Sequence, residues 1–478
     1  MTRKPKLVVA GSSGFIGTAV CEALADEYDV TALTRSGARV RSASDSRITR
    51  RQCDLFAPRE VEAALRGFEY AVYLVNNMVP SARLSQARCR DMDVLVADNF
   101  GRAAARAGLR QIVHLGLLVP EGDIPMDLAA SRTEVARSLG AQGTPVTTLR
   151  AGLIVGPGGT LVQLVADVAT RLPFVLLPRW ANGRKQPIAL PDVVRAIVRA
   201  VGDERMHGRS FDLGGPLVLT VRKILLRAAR AFDRTRPVHM VPFVPEFLFR
   251  WWVRLLSPDI HPDIVNRTVT AMRYDTTARD NELQREIVAD ALPARMALKR
   301  SDDRRRRVLS ASPRTAHRRR DDAELRSKQQ VRSIQRLSLP PGRSARWAFE
   351  HYFEWLPGFF LHTIRAQVEE NGDARYAFRF PRLDLLRMRC DQERCSSSRM
   401  VYTIDGGILA RVVASKTARL EFREVLDGDY VMAAIHDYRP SLPWHLYVAT
   451  QAVIHLVAMK TYAWHLRRMT RRVTSDED

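Results

Sequence analysis

The chain has 478 residues, 46% hydrophobic and 27% charged, a balance that supports packed cores and excludes collagen, disulfide scaffolds and pure linkers. Its formal net charge is +23, but 17 Lys+Arg against 5 Asp+Glu fall between residues 295 and 346, so +12 of the excess belongs to one segment. Five scattered cysteines, Cys21, Cys53, Cys89, Cys390 and Cys395, make no disulfide framework, and a reducing cytoplasm is the expected setting.

In chain order, a strand over 6–10, a helix over 14–25 and a strand over 29–34 make a βαβ unit. A strand over 70–75, a helix around 92–107 and strands over 111–115 and 146–149 continue it, which predicts an α/β fold with a Rossmann-type doubly wound parallel sheet. Ser131-x-x-Glu134, ahead of Val135 and Leu139, has capping-box spacing for a helix. From 157 the alternation relaxes, so 1–290 is read as one domain with a small substrate lobe over 157–290. A basic linker is expected over 291–346, and a separate α+β domain over 347–472. In that domain, antiparallel strands are expected near 376–380, 400–404, 419–425 and 431–436, with Asp427-Gly428 as a hairpin turn and a long helix over 444–468. The apolar stretches 243–256 and 447–466 are interrupted by Arg250 and Arg254, and by Gln451, His455 and Lys460, so neither reads as a membrane span. The basic start of the chain has no apolar h-region, so no signal peptide is read.

The sharpest motif is Gly11-Ser12-Ser13-Gly14-Phe15-Ile16-Gly17, placed between the first strand and the first helix. Gly11 permits a tight turn, Gly14 lets backbone N–H groups approach a pyrophosphate, and Gly17 lets helix and strand pack closely. The helix N-terminus adds positive partial charge, so the loop predicts a bound dinucleotide. At the end of the second strand, where an NAD site carries an acid, the chain has Arg35. A cation there suits a 2′-phosphate and favours NADP(H) over NAD(H); the alternative is one solvent-facing arginine among many. Asp54 and Leu55 either pin the adenine, or Asp54 caps the helix ahead of Pro58.

These residues resemble the extended and atypical short-chain dehydrogenase/reductase superfamily, particularly its NmrA-like and complex-I-subunit-like branches. The resemblance covers about 6–285 and includes Tyr73-Leu74-Val75-Asn76-Asn77 after the fourth strand, where it implies that Val75 and Asn76 line the cofactor. It extends to Asp98-Asn99-Phe100-Gly101-Arg102-Ala103-Ala104 and Ile112-Val113-His114-Leu115-Gly116. Further on, the run from Leu149 to Gly158 resembles the loop that closes over nicotinamide, and the run from Gln186 to Val194 and Phe211-Asp212-Leu213-Gly214-Gly215-Pro216 resemble substrate-lobe landmarks. Family reductases use a Tyr-x-x-x-Lys pair to protonate a carbonyl. Here the matching positions are Leu128 and Arg132. Leucine has no proton to give, and arginine keeps its charge near neutrality. Arg132 is read either as a ribose or phosphate ligand or as a surface arginine; His114 is read either as a substitute acid or as a packed strand histidine.

From residue 347 the chain resembles an uncharacterised bacterial domain similar to START and polyketide-cyclase lipid-binding folds. The residues that carry this are the runs from Tyr402 to Arg411 and from Ala433 to Pro440, Leu442-Pro443-Trp444, and Thr450-Gln451-Ala452-Val453-Ile454-His455. The resemblance implies a small-molecule or lipophilic ligand in an apolar cavity, with a solid core as the alternative. Neither the histidines His436, His445 and His455 nor the pair Cys390 and Cys395 has metal-ligand spacing, so no metal is expected. No surface for sequence-specific nucleic-acid reading is evident. The linker arginines, and the stretch with Phe247, Phe249, Trp251, Trp252, Leu255 and Leu256, offer a membrane-peripheral or protein-docking surface. The expected function is an NADP(H)-binding protein acting as a redox-responsive binding or assembly factor, or as an oxidoreductase with a nonstandard acid. The alternatives are an active NADP-dependent reductase or epimerase on a small or lipophilic substrate, and a peripheral membrane or complex-assembly component.

Overall fold

The computed structural model describes residues 3–35, 46–76, 82–120, 126–156, 158–171, 174–231, 237–258, 260–289, 330–411 and 418–476. The chain divides into two units, Met1–Val79 with Asn99–Ala316, and Pro80–Asp98 with His317–Asp478. Residues 291–329, which hold the arginine runs, lie outside the described residues.

In the first unit, β1 (Lys6–Ala10), β2 (Asp29–Thr34), β3 (Ile48–Gln52), β4 (Tyr70–Tyr73), β5 (Gln111–Leu117), β6 (Val146–Ala151) and β7 (Ser210–Leu213) form one sheet. Their order is β7-β6-β5-β4-β1-β2-β3, with every pairing parallel. A parallel strand covered on both faces must be apolar throughout. Accordingly Leu7, Val8 and Val9 of β1 are fully buried. The chain winds outward through β2 and β3, then returns to β4 on the other side of β1, so the order reverses between β1 and β4. At such a reversal the loops leaving two adjacent strands turn apart and open a crevice. The segment expected as a substrate lobe has its own core, in which Val175, Leu177, Phe249, Val253 and Val265 are buried. Ser131 does not start a helix: it lies inside the helix Met126–Gly140, because the helical run already begins five residues earlier.

In the second unit, β8 (Val331–Ser338), β9 (Ile364–Val368), β10 (Ala374–Phe378), β11 (Asp384–Cys390), β12 (Arg399–Gly406), β13 (Arg419–Val425) and β14 (Tyr430–Tyr438) make an antiparallel sheet in the order β9-β10-β11-β12-β13-β14-β8. The strand Leu84–Gln86 adds to its β8 edge in parallel. Thus 331–338, expected as linker, is a sheet strand. Two arginines counted with the linker are held there: Arg332 pairs with Asp437 at 3.0 Å and Arg336 with Asp91 at 2.8 Å. The expected long helix is two, Trp444–Ala449 and Gln451–Asp476, because the backbone at Thr450 (φ −122°, ψ −82°) leaves the helical region.

The period-two alternation of β13 sorts its side chains onto two faces. Leu420 and Phe422 join a core rich in aromatic rings. Phe349 stacks on Tyr402 at 4.4 Å between ring centres, Phe353 stacks on Tyr376 at 4.5 Å, and the Tyr462 hydroxyl donates to the Ala348 carbonyl at 2.8 Å. On the opposite face Glu421 and Arg423 are buried together with Arg399 and His436, and Arg419 is half-buried beside them. Among the described residues no helix is long and apolar enough to cross a membrane.

Candidate functional site

The crevice is built on the glycine loop between β1 and α1 (Phe15–Leu24). Gly11 sits at φ +83°, and a Cβ there would lie 2.9 Å from the Leu74 carbonyl carbon and oxygen. The loop after β1 therefore lies directly on the chain leaving β4, which only glycine permits. Ser12 is buried, and its Oγ donates to the Leu33 carbonyl at 2.7 Å, tying the loop to the end of β2. A Cβ on Gly17 would lie 2.4 Å from the Gly11 carbonyl oxygen and 2.6 Å from the Ser12 Cα. Gly11 and Gly17 are thus required by the fold itself.

Gly14 differs from both. It is exposed, and a Cβ added to it would meet nothing nearer than the Gly11 carbonyl oxygen at 3.5 Å. It is also the N-cap of α1, with no side-chain cap hydrogen bond and no acidic residue in the first turn. The first-turn N–H groups of a helix have no intrahelical partner, and with the helix dipole they favour an anion. Ser13 is exposed beside Gly14, while Phe15 and Ile16 are half-buried. A Cβ on Gly159 would lie 3.3 Å from the Phe15 Cζ, so the loop after the short strand Ile154–Val155 also reaches the mouth of α1.

Arg35 follows β2 directly and is exposed; its carbonyl accepts from Gln52 Nε2 at 3.2 Å. Val75 is half-buried and Asn76 exposed, just beyond β4. Asp54 does not cap the helix Pro58–Leu65, whose N-cap is Ala57 with no side-chain cap hydrogen bond; instead the Asp54 Oδ1 accepts the Phe56 N–H at 3.0 Å and its carbonyl accepts the Ala57 N–H at 2.8 Å, a turn ahead of the helix. Leu55 is buried and its carbonyl accepts from Asn99 Nδ2 at 3.0 Å. Leu128 and Arg132 lie on the helix Met126–Gly140, and their side chains, like all of Asn77, lie outside the described residues.

His114 is packed inside β5, its ring 6.0 Å from that of Tyr73. Burial pushes its pKa down to about 4, so near neutrality the imidazole is uncharged and a poor proton donor. The residues expected at the nicotinamide loop and at the substrate-lobe landmarks make contacts within the fold. Arg150 Nε pairs with Asp212 Oδ1 at 2.6 Å, and Gln186 Nε2 donates to the Gly215 carbonyl at 2.7 Å while its Oε1 accepts the Ala278 N–H at 2.8 Å. Sequence reasoning missed Gln284, whose side-chain amide exchanges two hydrogen bonds with the Gly214 backbone at 2.8 and 2.7 Å. No local pattern marks it, since its partner is 70 residues away.

Residues 7–117 match the family model of the NAD dependent epimerase/dehydratase family. The auxiliary protein GraX of Staphylococcus aureus is 31% identical over 147 residues, which is 30% of this chain and 43% of that protein, so the chain spans less than half the length of the relative it matches. The crystal structure of gox2253 superposes with a TM-score of 0.50 at 16% identity, covering 64% of this chain and 98% of that one. The triphenylmethane reductase of Citrobacter sp., complexed with NADP(H), reaches a TM-score of 0.49 at 15% identity over 62% of this chain and all of that one. The first unit thus has a Rossmann-type parallel sheet, and its residues 7–117 are similar to the NAD dependent epimerase/dehydratase family.

Proposed function

We propose that the first unit binds NADP(H) in preference to NAD(H), and that the protein works as a redox-responsive binding or assembly factor rather than as a Tyr-Lys carbonyl reductase. The observation that carries this reading is the open face at Gly14. There α1 presents a first turn without a side-chain cap at the reversal between β1 and β4. Leu128 at the tyrosine position supports the second half of the proposal, because it removes the usual proton donor. Arg35, exposed at the end of β2, is the group that would meet a 2′-phosphate.

The test is a fluorescence titration of the purified chain with NADPH and with NADH. Arg35→Ala is expected to weaken NADPH binding about tenfold, the worth of a hydrogen bond to a charged group, while leaving NADH binding unchanged. Equal loss for both nucleotides, or no loss for either, would remove Arg35 from the site. A second reading, an active NADP-dependent reductase or epimerase with another acid, is favoured by the loop that reaches Phe15. A reductase requires NADPH oxidation that depends on an added carbonyl substrate, whereas an epimerase requires interconversion of an added epimer with no net change in the nucleotide.

A further inference from the structure

The second unit leaves four large apolar side chains exposed at one end of its sheet. Phe380 is 92% exposed, Leu361 86%, Ile408 49% and Leu383 46%. Backbone hydrogen bonds hold them together: the Arg379 N–H donates to the Thr363 carbonyl at 2.9 Å, Phe378 to Leu383 at 2.9 Å, and Ile408 to Asp384 at 2.9 Å. Leu361 and His362 both lie in the left-handed region, at φ 50° and 57°. Non-glycine residues occupy that region at a cost, and such strain concentrates at functional sites. Here strain and exposure fall on the same leucine.

Charge is graded along the β9–β10 hairpin. Its turn carries Glu369, Glu370 and Asp373, whereas its open end carries the exposed Arg379 and Arg382 beside the apolar group. Five-residue strands separate the two ends by about 17 Å. Apolar side chains flanked by the two exposed arginines, with one half-buried acid, Asp384, beside them, suit the boundary between phosphate headgroups and acyl chains, where rings and leucines enter the apolar layer and guanidiniums meet phosphates.

We propose that this end of the second unit, formed by Leu361, Phe380, Leu383 and Ile408 with Arg379 and Arg382, docks on an anionic lipid surface. The test is sedimentation of the full chain with vesicles of phosphatidylcholine alone and of phosphatidylcholine mixed with phosphatidylserine, at low and high salt. Wild type is expected to bind the mixed vesicles and to lose them at high salt. The double variant Phe380→Ser/Leu361→Ser is expected to bind them at least about tenfold more weakly, with an unchanged melting temperature because both side chains are exposed. The arginines of 295–346 are intact in this variant, so the loss reads the sheet end and not the basic segment. Phe243→Ser/Trp251→Ser, which alters the exposed residues of the substrate lobe at 94% and 60%, is expected to bind as wild type does. Absence of wild-type binding would overturn the proposal. So would equal binding by Phe380→Ser/Leu361→Ser, loss only in Phe243→Ser/Trp251→Ser, or self-association that the sheet-end variant abolishes without any effect of lipid.

Discussion

Glu421→Gln destabilises the second unit by about 3–5 kcal/mol, the cost of leaving buried charge without its counter-charge. Glu421 and Arg423 are fully buried. The Glu421 carboxylate accepts from Arg423 Nε at 2.7 Å and from Arg399 Nε at 2.8 Å, and Arg419 and His436 stand 3.7 and 3.9 Å away. Arg423 Nη1 in turn pairs with Asp98 at 2.6 Å. Burial alone would raise the Glu421 pKa, but the surrounding guanidiniums outweigh it and hold the group well below the ordinary value of 4.5. A carboxylate depressed in this way contributes stability that is fully present above pH 4.5 and is lost progressively as the pH falls below it. The gap between wild type and Glu421→Gln should therefore be wide at neutral pH and narrow in acid. Hydrogen exchange followed on peptides from 330–476 reads this unit by itself. Equal protection of variant and wild type at neutral pH would show that the cluster does not hold the sheet together.

Gly17→Ala is the second large effect, expected at about 3 kcal/mol in the first unit. The added methyl would stand 2.4 Å from a carbonyl oxygen and 2.6 Å from a backbone carbon, neither of which is the free end of a side chain. Relief requires α1 to move away from β1, which would open the core around Val20, Cys21 and Leu24. Peptides covering 6–34 should lose exchange protection in this variant, while those from 330–476 keep theirs. Protection of 6–34 equal to wild type would mean that the loop relaxes without moving the helix.

The parallel sheet was legible because its signals are local. Runs such as Leu7-Val8-Val9 announce a strand buried on both faces, and the spacing of Gly11, Gly14 and Gly17 announces the turn and the helix that follow. The division of labour among those glycines was not legible, since it depends on Leu74 and on the approach of α1, which pattern alone does not supply. The second unit was read in part. The alternation in β12, β13 and β14 was visible, but β8 lay in a stretch dominated by arginine, where composition pointed to a linker. Pairing of 331–338 with β14 puts those arginines in a sheet, with Arg332 buried beside Asp437 and Arg336 half-buried beside Asp91. Leu84–Gln86 gave no signal, because three residues cannot display a period and their partner strand is distant in the chain.

The central claim is that the open face at Gly14 receives the phosphates of NADP(H), and a fluorescence titration with NADPH of wild type and Gly14→Asp tests it most directly. Aspartate is a favoured N-cap and its Cβ finds space here, so the fold should be retained. Its carboxylate would occupy and repel the place of the phosphates. The account predicts NADPH binding by wild type and none by Gly14→Asp, with equal melting temperatures. Failure of wild type to bind NADPH, or binding by Gly14→Asp as tight as wild type, would contradict it.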